Sequence, residues 1–490
     1  MGKKKIDDKI KVRFTGGSSI DVTGSCVNIS YYCEDINSRK NIICDFGIIQ
    51  GVGDKYEEYK QNKRMIENNP LKDVSYIFIS HSHCDHSMGL PLTSSREFNG
   101  RIIMNETTKE IAYKLLLDGV FIHNRDVESL QSKKHKNVEC FYKESDVHIA
   151  MQKYTDVYPM NKIIKLDSNL SFRLLPNSHV VGAAMIELFI KRVSGKVEKI
   201  IYTGDVGSKL NKKFQPFLED NAAISKASMI IMESTYGSKQ RGFTKQEAID
   251  ERKNMIKTIK QVIKNRGKVV IPTFSFGRSQ VLMTMLYEAF SNDKGFNIPI
   301  IIDSRLTNEI NNTYRKILTE EDREYWNKIM SWRNFKFIKE FKDTQLYASK
   351  KDFPCIVISS SGFLTNGHSV HWVKSTVEDR KNCIMFTGYV GNGTLGDFMT
   401  DKKHKTVKIE GLDFQKNAWI KQYKTFSSHI QQKEIIEMIK GLNNSCRVVL
   451  HHGNMDAREE LKEELQHELS KMNRTNKIHI VNEKNNEFIL

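Results

Sequence analysis

Short apolar runs that end in polar or acidic residues recur along this chain and set its predicted architecture. Residues 12–50 hold alternating segments, Val12-Arg13-Phe14, Cys26-Val27-Asn28-Ile29 and Asn41-Ile42-Ile43-Cys44-Asp45-Phe46-Gly47. They read as hairpin strands with turns at Gly16-Gly17 and Thr23-Gly24-Ser25. Residues 74–80 read as a buried strand, and residues 101–105 as another. Thr107 is expected to cap a helix that includes Ile111, Leu115, Leu116 and Leu117, and Ser145 to open a second helix over residues 147–154. Ile249, Ile256, Ile259 and Ile263 recur at helical spacing, which predicts an amphipathic helix near 246–266 with that stripe in the core, stopped by Gly267. Beyond Gly267, strands at 268–272, 298–303, 354–359 and 382–387 alternate with helices starting near Ser279, Arg305 and His368. That alternation predicts a parallel, three-layer second domain. Residues 471–490 read as a strand-rich tail.

With 490 residues the chain is long enough for two or three domains. No run of about 18 apolar residues occurs, so no membrane-spanning helix is expected. The opening residues carry no apolar core, so no secretory signal is expected either. Eight scattered cysteines without a C-x-x-C pair read as reduced thiols, and the expected location is cytoplasmic. Lysine and arginine number 76 against 59 acidic residues, a net charge of +17. Such an excess favours a polyanionic partner, although compositional bias alone also makes Lys-rich chains basic.

The chemistry concentrates in His81-Ser82-His83-Cys84-Asp85-His86, directly after the strand at 74–80. One histidine at a strand end is usually structural or solvated. Four ligand-type residues in six are hard to explain as packing. In extended chain His81 and His83 point the same way, and Asp85 and His86 can turn to a second point. Imidazole and carboxylate are the donors of hydrolytic zinc sites, and two aiming points imply two metals sharing a water. Cys84 is taken as a bystander. His179 and Asp205 each follow an apolar strand, and together they supply a third imidazole and a bridging carboxylate. Asp45 suits a turn cap or a buttress for a metal ligand. Glu233 ends a further strand, His429 lies in Phe426-Ser427-Ser428-His429, and alternation allows only one of His451 and His452 to face a given site. Arg278 and the loop with Ser360, Ser361, Gly362 and Thr365 follow strands and open helices, a setting suited to phosphate or to ordinary capping. Gly391-Asn392-Gly393-Thr394-Leu395-Gly396 matches a dinucleotide fingerprint, but the stretch after it is too short and polar for the helix that motif requires.

Taken in order, these residues resemble the metallo-beta-lactamase superfamily and, within it, the beta-CASP nucleases. Asp45 resembles the first motif, His81-x-His83-x-Asp85-His86 the second, His179 the third and Asp205 the fourth. Glu233, His429 and His452 resemble beta-CASP motifs A, B and C. The chain looks most like prokaryotic RNA-processing members, which are similar to the endonuclease that cleaves mRNA 3′ ends. The resemblance implies an αββα metallo-beta-lactamase sandwich from residues 1–237 and 428–490, with an inserted α/β beta-CASP domain at 238–427 that caps the site in a cleft. It implies two Zn2+ ions. One would be held by His81, His83 and His179, the other by Asp85, His86 and His452, with Asp205 bridging. Asp85, Asp205, Glu233 and His429 would be catalytic, His429 protonating the leaving oxygen with Glu233 orienting it. Arg278, Ser360, Ser361, Gly362 and Thr365 would hold substrate phosphates. RNA is the implied partner, since His at motif C goes with RNA substrates; no membrane partner is implied, and a homodimer is left open. The implied activity is hydrolysis of RNA phosphodiesters, with endonuclease favoured over 5′-3′ exonuclease. A DNA nuclease of the same fold, a small-molecule hydrolase and an inactive RNA-binding scaffold are the rival readings. Ile430 and Gln431 depart from the Ala and Asp usual after motif B.

Overall fold

The computed structural model describes residues 7–17, 22–135, 137–211, 214, 222–239, 242–388, 390–391 and 393–490; expectations that touch residues 1–6 and Asn392 lie outside these. Val12, Ile29, Ile42 and Phe78 share one buried core with Phe172, Leu174, Ile186, Tyr202, Ile231 and Val449. They do so because alternate residues of two sheets face each other. The first sheet runs in the order Glu487–Ile489, Lys11–Phe14, Cys26–Cys33, Ser38–Phe46, Val74–Phe78, Arg101–Met104, Thr155–Val157. The second runs Ile478–Ile480, Arg447–His451, Met229–Glu233, Val197–Tyr202, Ala184–Lys191, Leu170–Pro176, Ile164–Lys165. Ile66, Ala112, Leu116 and Val147, from three helices, cover the outer face of the first sheet. Ile435, Ile439, Leu461 and Leu465, from the helices Gln432–Lys440 and Met455–Ser470, cover the second. The result is a four-layer αββα sandwich.

This unit joins Met1–Gln50, Lys55–Gly242 and Ser428–Leu490, and a second unit joins Gly51–Asp54 with Phe243–Ser427. The second is built on a six-stranded sheet in the order Phe335–Ile338, Ile300–Asp303, Cys355–Ser359, Lys268–Pro272, Cys383–Phe386, Trp419–Gln422, with every pairing parallel. Its inner strands are buried at every position, the mark of a sheet covered on both faces. The fold class is thus the sandwich with an inserted three-layer α/β unit.

Several element details differ from expectation. Asn105, not Thr107, caps the helix Glu106–Ser132, its side chain accepting the Thr108 N–H at 2.9 Å. The next helix is Glu144–Ile149, started by Asp146 accepting the Lys143 N–H, and it widens to a π-turn over Ala150–Tyr154. In Lys245–Lys264 the buried stripe is Ala248, Met255, Ile259 and Val262, while Ile249 is 38% exposed. Ile249 stands about 100° round the helix from Ala248, enough to leave the core face. Among the described residues no helix is long and apolar enough to cross a membrane.

The first unit's strands explain why chemistry gathers at one edge. His81, His179 and Asp205 each follow the carboxyl end of a strand by three residues, after Phe78, Pro176 and Tyr202. Glu233 ends its own strand and His452 follows His451. Asp45 and His452 adopt the left-handed conformation, φ 57° and 50°, which turns each side chain off its strand line.

Candidate metal centre

Three imidazole nitrogens converge on one point. His83 Nδ1 lies 3.0 Å from His81 Nε2 and 3.3 Å from His179 Nε2. Asp205 Oδ2 approaches the same point, 3.5 Å from His179 Nε2 and 3.8 Å from His81 Nε2. A second point gathers Asp85, His86 and His452. His86 Nε2 lies 3.2 Å from His452 Nε2, and Asp85 Oδ2 is 3.7 and 3.6 Å from those two nitrogens. The other oxygen of Asp205, Oδ1, lies 3.3 Å from His86 Nε2 at this second point, and 3.3 Å from His452 Nδ1, the ring nitrogen other than the one that meets His86 and Asp85. Both sets lie within the reach of a single ion.

Hydrogen bonds behind the rings fix which nitrogen faces inward. Asp45 is fully buried, and its carboxylate accepts from Ser80 N–H, Ser80 Oγ and Tyr202 OH, each at 2.7 Å. His86 Nδ1 donates to Asp45 Oδ2 at 2.6 Å, so its Nε2 is the atom left to bind. Ser80 Oγ spends its proton on Asp45 and so accepts from His81 Nδ1 at 3.0 Å, which leaves His81 Nε2 with its lone pair. Thr235 Oγ1 stands 3.2 Å from His452 Nδ1, and Ser428 Oγ 3.3 Å from His179 Nδ1. Two glycines let the ligand loops close. A Cβ on Gly47 would fall 1.7 Å from the Asp85 carbonyl oxygen, and one on Gly207 would fall 2.1 Å from that of Ser178.

The electrostatics suit a cation. Burial pushes His81 and His179 well below 6.5 and His83 down to about 4, holding these rings in the neutral, ligating form. Burial also lowers His86, but the carboxylates of Asp205, Asp85 and Asp45 outweigh it and raise the group well above its ordinary value. Asp205 Oδ1 is buried with no hydrogen-bond partner, a costly arrangement unless positive charge satisfies it. The donor set therefore fits metal. Cys84 belongs to none of the ligand groups among the described residues, and burial holds its thiol up at about 12.

His429 sits beside both points. Its Nδ1 donates to Glu233 Oε2 at 2.9 Å, and its Nε2 faces inward, 4.0 Å from Asp205 Oδ2. Burial would lower this imidazole, but Glu233 and Asp205 raise it to about 9. The segment is anchored to the loop after Asp205 by Ile430 N–H to Val206 O at 2.7 Å and Ser208 N–H to Ser428 O at 2.9 Å. Gln431 serves this anchor. It caps the helix Gln432–Lys440, and its Nε2 donates to the His429 carbonyl at 2.9 Å. His451 turns the other way, buried between Phe14 and Tyr202.

Residues 279–399 match the family model described as Beta-Casp domain, and residues 415–481 match the Zn-dependent metallo-hydrolase RNA specificity domain. The chain carries both of these domains and is similar over nearly its whole length to beta-CASP RNA-processing proteins of the metallo-beta-lactamase superfamily. Its beta-CASP relatives include Integrator complex subunit 11 of Gallus gallus, 26% identical over 92% of this chain and 70% of that protein. Transcription termination factor FttA of Methanocaldococcus jannaschii is 25% identical over 91% of this chain and 67% of its own. Endoribonuclease YSH1 of Kluyveromyces lactis is 24% identical over 99% of this chain and 61% of its own. The matched Zn-dependent metallo-hydrolase domain and the endoribonuclease among the relatives mark the chain as a hydrolytic enzyme.

The remaining expected residues lie in the beta-CASP unit. Arg278 opens the helix Arg278–Phe290, and a Cβ on Gly388 would fall 2.6 Å from its Nη1. Ser361 Oγ lies 3.3 Å from Thr365 Oγ1 and accepts the Thr365 N–H at 3.1 Å. Gly362 backs onto Thr273 and Phe274. The hydroxyls of Ser80, Tyr202, Thr235 and Ser428 were not foreseen. Ser80 and Tyr202 sit at or near the ends of the strands that lead to His81 and Asp205, the one sequence signal that could have marked them. Ser80→Ala removes a partner of both Asp45 and His81. It is expected to weaken metal affinity roughly tenfold, at the low end for outer partners of metal ligands, as read by competition with a chromogenic chelator.

Proposed function

We propose that this protein is a two-zinc ribonuclease that hydrolyses RNA phosphodiesters, acting as an endonuclease. The observation that carries this reading is the placing of Asp205, one oxygen toward each of two imidazole-rich points, with the Glu233–His429 pair alongside. His81, His83 and His179 would hold one Zn2+, and Asp85, His86 and His452 the other, with Asp205 shared. Nitrogens about 2.0–2.1 Å from one tetrahedral zinc stand roughly 3.3 Å apart. The 3.0 and 3.3 Å separations around His83 Nδ1 agree with that spacing. When bound, the metals supply Lewis-acid charge and a water acidified toward neutral pH.

The chain's own residues do the rest. Asp45 and Ser80 hold the His86 and His81 tautomers. Glu233 accepts the Nδ1 proton of His429, which leaves Nε2 to carry a proton to the departing 3′ oxygen. The products are then a 5′-phosphate and a 3′-hydroxyl. Arg278, Ser360, Ser361, Gly362 and Thr365 hold flanking phosphates. Residues 1–237 and 428–490 form the catalytic domain, and residues 238–427 the beta-CASP domain. RNA as substrate is supported by the net charge of +17 and by the RNA specificity domain matched at residues 415–481. All eight cysteines are free thiols, which suits a cytoplasmic protein.

Zinc-loaded protein is to be incubated with end-labelled RNA and DNA of one sequence, beside His81→Ala. RNA cut to internal fragments by the parent alone supports the reading. Intact RNA, equal cutting by the variant, or cutting of DNA alone overturns it, and release of mononucleotides in place of internal fragments overturns its endonuclease part.

A further inference from the structure

Asp303 ends an inner strand of the beta-CASP sheet and is fully buried, with no metal-type cluster around it among the described residues. Its carboxylate is nonetheless saturated. Trp372 Nε1 donates to Oδ2 at 2.6 Å, Thr344 Oγ1 donates to Oδ2 at 2.8 Å, and His368 Nδ1 donates to Oδ1 at 2.6 Å. A carboxylate only accepts, so His368 Nδ1 carries a proton, and Nε2 is the ring nitrogen turned away from Asp303. The His368 side chain is 27% exposed, whereas that of Asp303 is 0% exposed. A buried acid thus holds one face of a half-exposed imidazole in a set orientation.

Phe341 lies against this pair. Its ring centroid is 5.2 Å from those of both His368 and His371, at 69° and 70°, and 44% of the residue is exposed. Phe341 and His368 are each the first residue of a helix, Phe341–Ser349 and His368–Thr376. Both helices leave the carboxyl edge of the sheet. Along that edge the chain steps outward from Lys268–Pro272 to Ile300–Asp303 and Phe335–Ile338, then returns to Cys355–Ser359. Right-handed crossovers send helices to opposite faces before and after such a reversal, and the crevice left there is where parallel sheets take ligands. An exposed aromatic ring braced by two imidazoles offers a base its face, and His368 Nε2 offers a hydrogen-bonding atom to the base or the ribose. The larger part of the net charge of +17 falls in residues 243–427, which favours a polyanion.

We propose that Phe341, His368 and His371 form a contact site for one nucleotide of single-stranded RNA, Phe341 stacking on the base and the Asp303-held His368 hydrogen-bonding to it. This deepens the ribonuclease reading and rests on it. The test is RNA binding without cleavage. Full-length His81→Ala protein is titrated into a fluorescein-labelled single-stranded RNA, with added Phe341→Ala, Phe341→Trp or His368→Leu. Stacking on an aromatic side chain is worth roughly a fivefold or greater change in affinity. Phe341→Ala is therefore expected to bind at least about fivefold more weakly. Phe341→Trp, which keeps a stacking face, should bind like the parent, and His368→Leu more weakly than the parent. Phe341 is exposed, so the alanine and tryptophan pair remains decisive even if His368→Leu disturbs folding. Equal binding by parent and Phe341→Ala overturns the inference alone. A parent that binds no RNA overturns it together with the ribonuclease reading.

Discussion

Asp205→Asn is expected to release metal from both points at once. Its Oδ1 faces His86 and His452, and its Oδ2 faces His81 and His179. No other described residue reaches both sets in this way. Asparagine keeps the shape but removes the charge, and it offers an amide nitrogen where one of the two points needs an acceptor. Removing one partner from a buried charge cluster costs roughly 3–5 kcal/mol, so metal affinity should fall by two orders of magnitude or more. Metal analysis of dialysed protein should find close to none, and RNA cleavage should vanish with it. His81→Ala gives the contrast, since only the first point loses a ligand and the second set stays whole. Metal content should then be intermediate. Full metal content in Asp205→Asn would remove the shared carboxylate from the scheme.

His429→Ala should separate chemistry from metal binding. The imidazole makes its hydrogen bond to Glu233 and approaches Asp205 only to 4.0 Å, so bound metal should stay. A positioned acid contributes about 10²–10⁴-fold, and the cleavage rate should drop within that range. Glu233→Gln should cost less, because Glu233 acts through His429, and the double variant should be little worse than His429→Ala. An RNA with sulfur in place of the 3′-bridging oxygen has a leaving atom that needs no proton. On that substrate most of the His429→Ala deficit should disappear. An equal deficit on both substrates would mean that His429 only braces the loop.

How much of this was legible in the chain follows from distance along it. His81 to His86 announced metal because the ligands of two points fall within six residues. Asp45 could be read as a buttress because an acid at the end of an apolar strand has few other uses. Ser80 and Tyr202 were not read, since a serine or tyrosine at a strand end is ordinary until Asp45 is known to lie within 2.7 Å of both. The Asp303–His368 pair, 65 residues apart, left no local trace at all. The strands buried on both faces were found, because continuous apolar runs such as Cys355–Ser359 need no partner to be recognised. The helix Glu320–Met330 and the strand Phe335–Ile338 escaped the sequence pattern because polar residues dominate the helix and the edge strand is only four residues long. Caps failed by a residue or two where neighbouring side chains compete, as with Asn105 and Thr107.

His86 and His452 stand 3.2 Å apart in space and 366 residues apart along the chain. The strand Glu487–Ile489 pairs with Lys11–Phe14, at the opposite end of the sequence. A ribosome releases these partners in order, so the beta-CASP unit emerges before the second point gains its last imidazole. An unfinished chain therefore has His81, His83 and His179 but neither His429 nor His452. By the mechanism proposed above such a chain cannot cut RNA. Competence arrives only with the segment Ser428–Leu490, which brings both of these imidazoles to the first unit.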